Sequence, residues 1–320
     1  MPASTSIRRC EDVVGLDWSD GVVTASRVSL KADGALTIHN VGWTSMPAGA
    51  ADQALAAAIR EVWRTAGMPS RTVAASIRSR SVIVRYFSFP SLQPEELKAA
   101  LWLEAEESLQ LPQSGIAMDF HINRRSDAPV EKSGARAYEG LLVAAPRAEV
   151  ERDLSILRAA GLYPVVLDLG ATAIANLFKI LYRDPVSGSN IAIVHVSQVS
   201  ADIVILLEGG GLYARTLYAR GANWEASSAA LIEGILEAMK FYVFKLRGQP
   251  VRKLMMAGSL PKSPDFLGMV RTKTGVAVEV WNPMSMAEFS GIGRKKQMVG
   301  ADAPPLGISL GLALRSYAND

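Results

Sequence analysis

Two stretches of this chain carry the same pattern of apolar and polar positions. In the first, Val13-Val14-Gly15-Leu16-Asp17 meets a turn at Trp18-Ser19-Asp20-Gly21 and resumes from Val22 to Val28. A further turn at Lys31-Ala32-Asp33-Gly34 leads into Ala35 to Thr44. In the second, Ile191 to His195 turns through Ser197 to Ser200 into Asp202 to Leu207, and Glu208-Gly209-Gly210-Gly211 then turns into Leu212 to Arg220. Short β-rich runs divided by polar or Gly-containing turns predict a three-stranded meander each time. The copies start at Val13 and Ile191, so the chain reads as a duplicated domain.

Helical spacing follows each meander. Leu55, Ile59, Val62 and Trp63 form one face of a helix over 51–66, with Gly67 suited to end it. Asn223 suits the cap of a second helix carrying Ile232, Ile235, Met239, Tyr242 and Leu246, ending at Gly248. Helices over 147–160 and 171–182 flank a strand from Pro164 to Leu169. Sheets with helices packed after them predict an α/β architecture, one unit per half: 11–185 and 186–320. A separate element, about 81–145, interrupts the first half. Pro94-Glu95-Glu96 opens its helix, where proline and acidic side chains suit the first turn. Leu97, Leu101, Ala105 and Leu109 make the helix stripe, with Trp102 on its shoulder, and strands over 116–122 and 137–145 complete the element. The polar stretch 123–136 and the region 290–305 read as loops.

Composition narrows the functional classes. Of 320 residues 49% are apolar and 20% charged, which describes a globular chain. Thirty-four Lys and Arg against 31 Asp and Glu leave +3, too little for a nucleic-acid footprint. The short basic clusters (Arg78, Arg80 and Arg85; Arg124 and Arg125; Arg294, Lys295 and Lys296) read as solvated surface. A single cysteine, Cys10, excludes an internal disulfide and a Cys-based zinc site. Met1 to Glu11 has no signal-like apolar run, and the most apolar stretch, 161–182, is broken by Pro164, Asp168, Gly170 and Lys179. The expected location is the cytosol, with any membrane role reached through a partner.

Four blocks carry a family resemblance. The first is Phe89-Pro90-Ser91-Leu92, then Glu95-Glu96-Leu97, Ala100-Leu101-Trp102-Leu103-Glu104-Ala105-Glu106, Leu111-Pro112 and Met118-Asp119-Phe120. The second is Leu142-Val143-Ala144-Ala145-Pro146 with Ala160-Gly161-Leu162-Tyr163-Pro164 and Val165 to Asp168. The third is Phe241-Tyr242, Pro250-Val251, Ala257-Gly258 and Gly275 to Pro283, and the fourth is Gly307 to Arg315. In this order they resemble the PilM family, the FtsA-related, actin-like components of type IV pilus machines. The resemblance implies two RNase H-like halves and an FtsA-type inserted α+β subdomain. It also implies a groove that takes up the N-terminal cytoplasmic peptide of a PilN-like inner-membrane protein, with contact passed on to the pilus motor. Self-association is left open. Leu101, Trp102, Ala105, Phe120 and Ile122 are the expected groove residues, although a helix stripe of this kind is more often core.

The same resemblance places a nucleotide cleft at Asp17, Ser19, Gly21, Ser197, Gly258 and Ser259. Backbone N–H groups in Gly-rich turns would meet the phosphates there, and acidic residues would position hydrated Mg²⁺. This chain departs from that pattern: Ser19 stands where the family usually has Gly, Asp20 adds a carboxylate, and the expected Lys is absent from Val22-Val23-Thr24. His195-Val196-Ser197 replaces Asp-x-Gly, and Ala257-Gly258-Ser259 replaces a Gly run. The expectation is no ATPase activity and no firm cofactor, with ATP–Mg disfavoured. The alternatives are an ATP-dependent actin-like filament protein and a GspL-like type II secretion component. His39, His121 and His195 lack metal-ligand spacing, Ser259 is in no nucleophile elbow, and Glu104, Glu106 and Glu107 read as a solvated helix face.

Overall fold

The structure is a computed structural model that describes residues 12–18, 21–46, 49–77, 79–89, 92–123, 138–182, 190–206, 212–221, 223–259, 263–290 and 306–317. The loops expected over 123–136 and 290–305 lie almost wholly outside them.

Both meanders form. β1 (Val14–Asp17), β2 (Val22–Leu30) and β3 (Leu36–Ser45) pair antiparallel in sequence order. α1 (Asp52–Ala66) buries Leu55, Ile59 and Val62, and Gly67 ends it at φ 60°, a left-handed conformation that glycine adopts without steric cost. β4 (Thr72–Ser76) then enters parallel to β1.

The chain leaves this sheet to build a smaller unit. β5 (Ile83–Phe89), α2 (Pro94–Leu109), β6 (Ile116–Asn123) and β7 (Tyr138–Pro146) form a three-stranded sheet in the order β5-β7-β6. α2 starts at a capping box, in which Glu96 returns its carboxylate to the backbone N–H of Gln93 at 2.9 Å. The chain then comes back through α3 (Arg147–Ala159), β8 (Tyr163–Asp168) and α4 (Gly170–Leu181), with β8 parallel to β4.

The second meander is β9 (Ile191–Val196), β10 (Ser200–Leu206) and β11 (Leu212–Tyr218). α5 (Trp224–Lys245) follows, capped by the Asn223 carboxamide, which accepts from Ala226 N–H at 2.9 Å. β12 (Lys253–Gly258), α6 (Pro264–Thr274) and β13 (Ala277–Val280) complete a sheet in the order β11-β10-β9-β12-β13.

The division expected at residue 186 does not hold for the chain's last elements. β14 (Glu288–Phe289) pairs with β3, so the first sheet reads β14-β3-β2-β1-β4-β8. α7 (Gly307–Ala313) packs on β1, β2 and α4 instead of on its own half. The approach is close: a Cβ on Gly15 would lie 1.9 Å from the Ser309 carbonyl oxygen, and one on Gly311 2.0 Å from that of Ala173. The buried hydroxyls of Ser26 and Ser309 share a hydrogen bond at 2.7 Å. At the start of α4, the Asp168 carboxylate accepts from Leu169 N–H at 2.8 Å and from the Thr172 hydroxyl, and Arg315 approaches it at 3.2 Å. One core therefore runs from Val28 and Ile38 through α4 and α7 to Ile193, Val204 and Met255.

Candidate functional site

Two places in this fold concern the expected site residues: a cleft between the sheets, and the small three-stranded unit.

The cleft has a volume of about 620 Å³ and is lined from three sides. Asp17, Trp18, Gly21 and Ser76 come from the first sheet and its turn; Gln198 to Ser200, Asp202, Arg215 and Tyr218 come from the second; Arg80 comes from the strap leading into the small unit, and Ile83 and Arg85 from β5. The strap closes on β11, where the Tyr218 hydroxyl donates to Ser79 C=O at 3.4 Å and the Arg80 guanidinium sits 5.3 Å from the Tyr218 ring centre.

Local bonding explains the state of the cleft turns. Asp17, only 6% exposed, accepts from the Ser76 hydroxyl at 2.7 Å, and the Trp18 indole N–H donates to Ser76 C=O at 2.6 Å. These bonds tie the first turn to the end of β4. In the second turn, the Ser197 hydroxyl oxygen accepts from the N–H groups of Val199 (3.2 Å) and Ser200 (3.1 Å), while Ser197 N–H donates to Ser200 C=O at 2.9 Å. The amides of Ser197, Val199 and Ser200 are thus occupied within the second turn. Asp202, buried, accepts from the Thr216 hydroxyl at 2.6 Å and lies against Gly170, where its charge suits the amino end of α4.

Asp17 and Gly21 therefore line the cleft as expected, and Ser19 lies outside the described residues. Ser197, Gly258 and Ser259 are not among the lining residues. Gly258, at φ +109°, is glycine because β12 presses on β9: an added Cβ would sit 2.1 Å from the Val196 carbonyl oxygen. Sequence reasoning missed Ser76, Asp202, Arg215 and Tyr218, and it read Arg80 and Arg85 as plain surface charge. Asp202 had a usable signal, as the one carboxylate inside an otherwise apolar strand run. His195 lies next to the cleft on β9, fully buried and opposite Asp202 in register. Burial lowers its pKa to about 4, so the ring is neutral.

In the small unit, all five expected groove residues belong to the apolar cluster between α2 and the sheet: Leu101, Trp102 and Ala105 from α2, Phe120 and Ile122 from β6. Leu101 and Ala105 are 0% exposed and pack with Phe87, Leu97, Ile116, Leu142 and Ala144. They are core, which corrects their assignment to a groove: a peptide would reach them only by displacing α2. Trp102, Phe120 and Ile122 sit half-buried at the rim of that core. Among the described residues β6 is an edge strand, paired only with β7. Its alternate residues Met118, Phe120 and Ile122 lean toward α2, so the strand edge lies beside an apolar rim. Arg147 covers the start of this edge, donating to Ser114 C=O at 3.0 Å and Ile116 C=O at 2.7 Å.

Two sheet-bearing halves around a cleft, with helices exchanged between them and a small α+β unit let into the first, define an actin-like protein. A comparison with known families narrows this further. The profile described as type IV pilus assembly protein PilM matches residues 15–227, well over half of the chain, and the chain belongs to that family. Among solved structures it is similar to a PilM–PilN type IV pilus biogenesis complex, at 21% identity and a TM-score of 0.75, covering 97% of this chain and 99% of that one. More distant likenesses are the cytoplasmic domain of EpsL from the Vibrio cholerae type II secretion system (12% identity, TM-score 0.49, 95% and 93% covered) and a Bacteroides thetaiotaomicron protein with an actin-like ATPase fold (9%, 0.47, 86% and 94%). Among the described residues, no helix is long and apolar enough to cross a membrane.

Proposed function

We propose that this chain is a cytoplasmic scaffold of a type IV pilus assembly machine, holding the N-terminal peptide of a PilN-like inner-membrane protein and linking it to the motor. It sits at the inner membrane through that partner. The observation that carries this reading is the edge position of β6 among the described residues, with Trp102, Phe120 and Ile122 beside it. An extended peptide gains main-chain hydrogen bonds from such an edge and side-chain selectivity from the neighbouring rim. The similarity to a structure that contains both PilM and PilN supports the choice of partner. The test is a titration of the full chain with a peptide of the N-terminal cytoplasmic segment of a PilN-like protein. Trp102→Ala is expected to weaken binding by about tenfold, since one well-packed aromatic contact contributes on that order. Unchanged affinity, with the variant folded, would move the groove elsewhere.

The scaffold role includes a cleft that does not turn over ATP. The amides of Val199 and Ser200 in its second turn are held by Ser197, and Asp17 and Asp202 serve hydroxyl partners, so these residues do not fit a triphosphate–Mg²⁺. Calorimetric titration with ATP–Mg²⁺ is expected to give no heat at micromolar protein, and a phosphate-release assay no turnover. Tight binding or hydrolysis would favour the filament reading instead.

A further inference from the structure

We propose that the end of the second half opposite the cleft is a docking surface for an anionic phospholipid bilayer, with Phe244 as its apolar anchor. β9 and β12 run parallel toward the cleft, so Ile191 and Lys253 mark the far end of their sheet. α5 finishes at that end, because only a short loop separates Lys245 from the first residue of β12. α6 returns to the same end ahead of β13, where Ala277 N–H donates to Arg252 C=O at 3.3 Å. The topology thus gathers Lys245, Arg247, Arg252, Lys253, Arg271 and Lys273 around one rim, all exposed except the half-buried Lys253, which pairs with Glu279. No Asp or Glu occurs in the sequence between Glu237 and Asp265.

Phe244 projects from this rim at 76% exposure. Phe241, one turn earlier, stacks on Tyr213 at 5.6 Å yet remains 40% exposed. They are the exposed apolar residues of the last two turns of α5. A specific protein partner would typically bury roughly 800 Å² on each side, a little over half of it apolar, more than two rings supply. A lipid surface asks for less: an aromatic side chain that enters the headgroup boundary, and cations within a Debye length of the phosphates. Charge and shape together therefore select anionic lipid. Each Lys or Arg near such a surface strengthens binding by roughly fivefold.

The test is co-sedimentation of the full chain with vesicles of phosphatidylcholine alone, or of phosphatidylcholine with phosphatidylglycerol, at low and high salt. Binding is expected only with phosphatidylglycerol and is expected to weaken as salt rises. The triple variant Lys245→Gln, Arg247→Gln, Lys273→Gln should bind about a hundredfold more weakly, in line with the loss of three such cations. Phe244→Ser should lose about tenfold while melting like wild type, because an exposed ring contributes little to folding. Equal pelleting with both vesicles, none with either, or no effect of the triple variant would overturn the proposal. So would soluble polyglutamate displacing the protein as readily as lipid does, which would mark an acidic-polymer site. A dimer lost in Phe244→Ser would instead make this face a contact between copies. Phe244→Ser binding like wild type would remove the anchor and overturn the assignment of Phe244.

Discussion

Gly15→Ala is expected to destabilise the whole chain by at least about 3 kcal/mol, at or beyond the upper end of ordinary overpacking. The methyl would sit 1.9 Å from the Ser309 carbonyl oxygen and 2.4 Å from Ala313 N. Both are backbone atoms of α7, so no flexible side chain can swing aside. β1 cannot retreat either, because β2 and β4 hold it on both edges. Relief therefore requires α7 to lift, which uncovers Leu310 and Leu312, both 0% exposed. Urea unfolding monitored by fluorescence would show the shift in midpoint. Gly268→Ala is the matching control: Gly268 lies inside α6 with nothing within 4 Å of its added Cβ, so alanine there should stabilise by about 0.5–1 kcal/mol. A Gly15→Ala variant as stable as wild type would mean that α7 is not seated on β1.

The second large effect is a loss of stability in acid that traces to His195. Its pKa is about 4 in the folded chain and near 6.5 when unfolded, because burial penalises the charged ring. Between those values the unfolded chain binds the proton and the folded chain does not. The stabilisation is therefore complete above pH 6.5 and is lost as pH falls toward 4. The difference amounts to about 3 kcal/mol, on the order of 1.4 kcal/mol per pH interval. The ring Nε2 is buried and finds no hydrogen-bond acceptor or donor, so the protonated ring would have no compensating partner at that atom. His195→Gln removes the titrating group. Its unfolding free energy, compared with wild type across pH 7 to 4, should lack this part of the slope, while carboxylate titrations common to both chains cancel. Parallel curves would show that His195 is protonated without penalty.

The two meanders were legible because β-rich runs alternated with Asp-Gly and Gly-rich turns, and each produced its strands within a residue or two. The helical period of α7 is not legible in the sequence. Gly307–Ala313 is buried on every side, so it carries no polar face from which a period could be taken. β4 was missed for a related reason: Val73-Ala74-Ala75 is a short, wholly buried run of small residues between parallel neighbours. In the small unit, the spacing of Leu97, Leu101 and Ala105 correctly gave one helix face. Spacing says which residues share a face but not what covers it, and the sheet β5-β7-β6 covers this one. The departures of the cleft turns from the family pattern were legible. The bonds from Ser76 to Asp17 and from Thr216 to Asp202 were not, because they join residues on separate strands.

Synthesis runs from the amino end, and this gives the seat of α7 a consequence in time. The ribosome delivers Val14 to Asp17 early, yet the helix that covers them follows roughly three hundred residues later. Until Gly307–Ala313 emerges, the surface around Gly15 stays open to water or to a chaperone, and the nascent first lobe lacks one wall. A ribosome stalled between the two meanders would therefore carry an unfinished lobe, however complete its sequence.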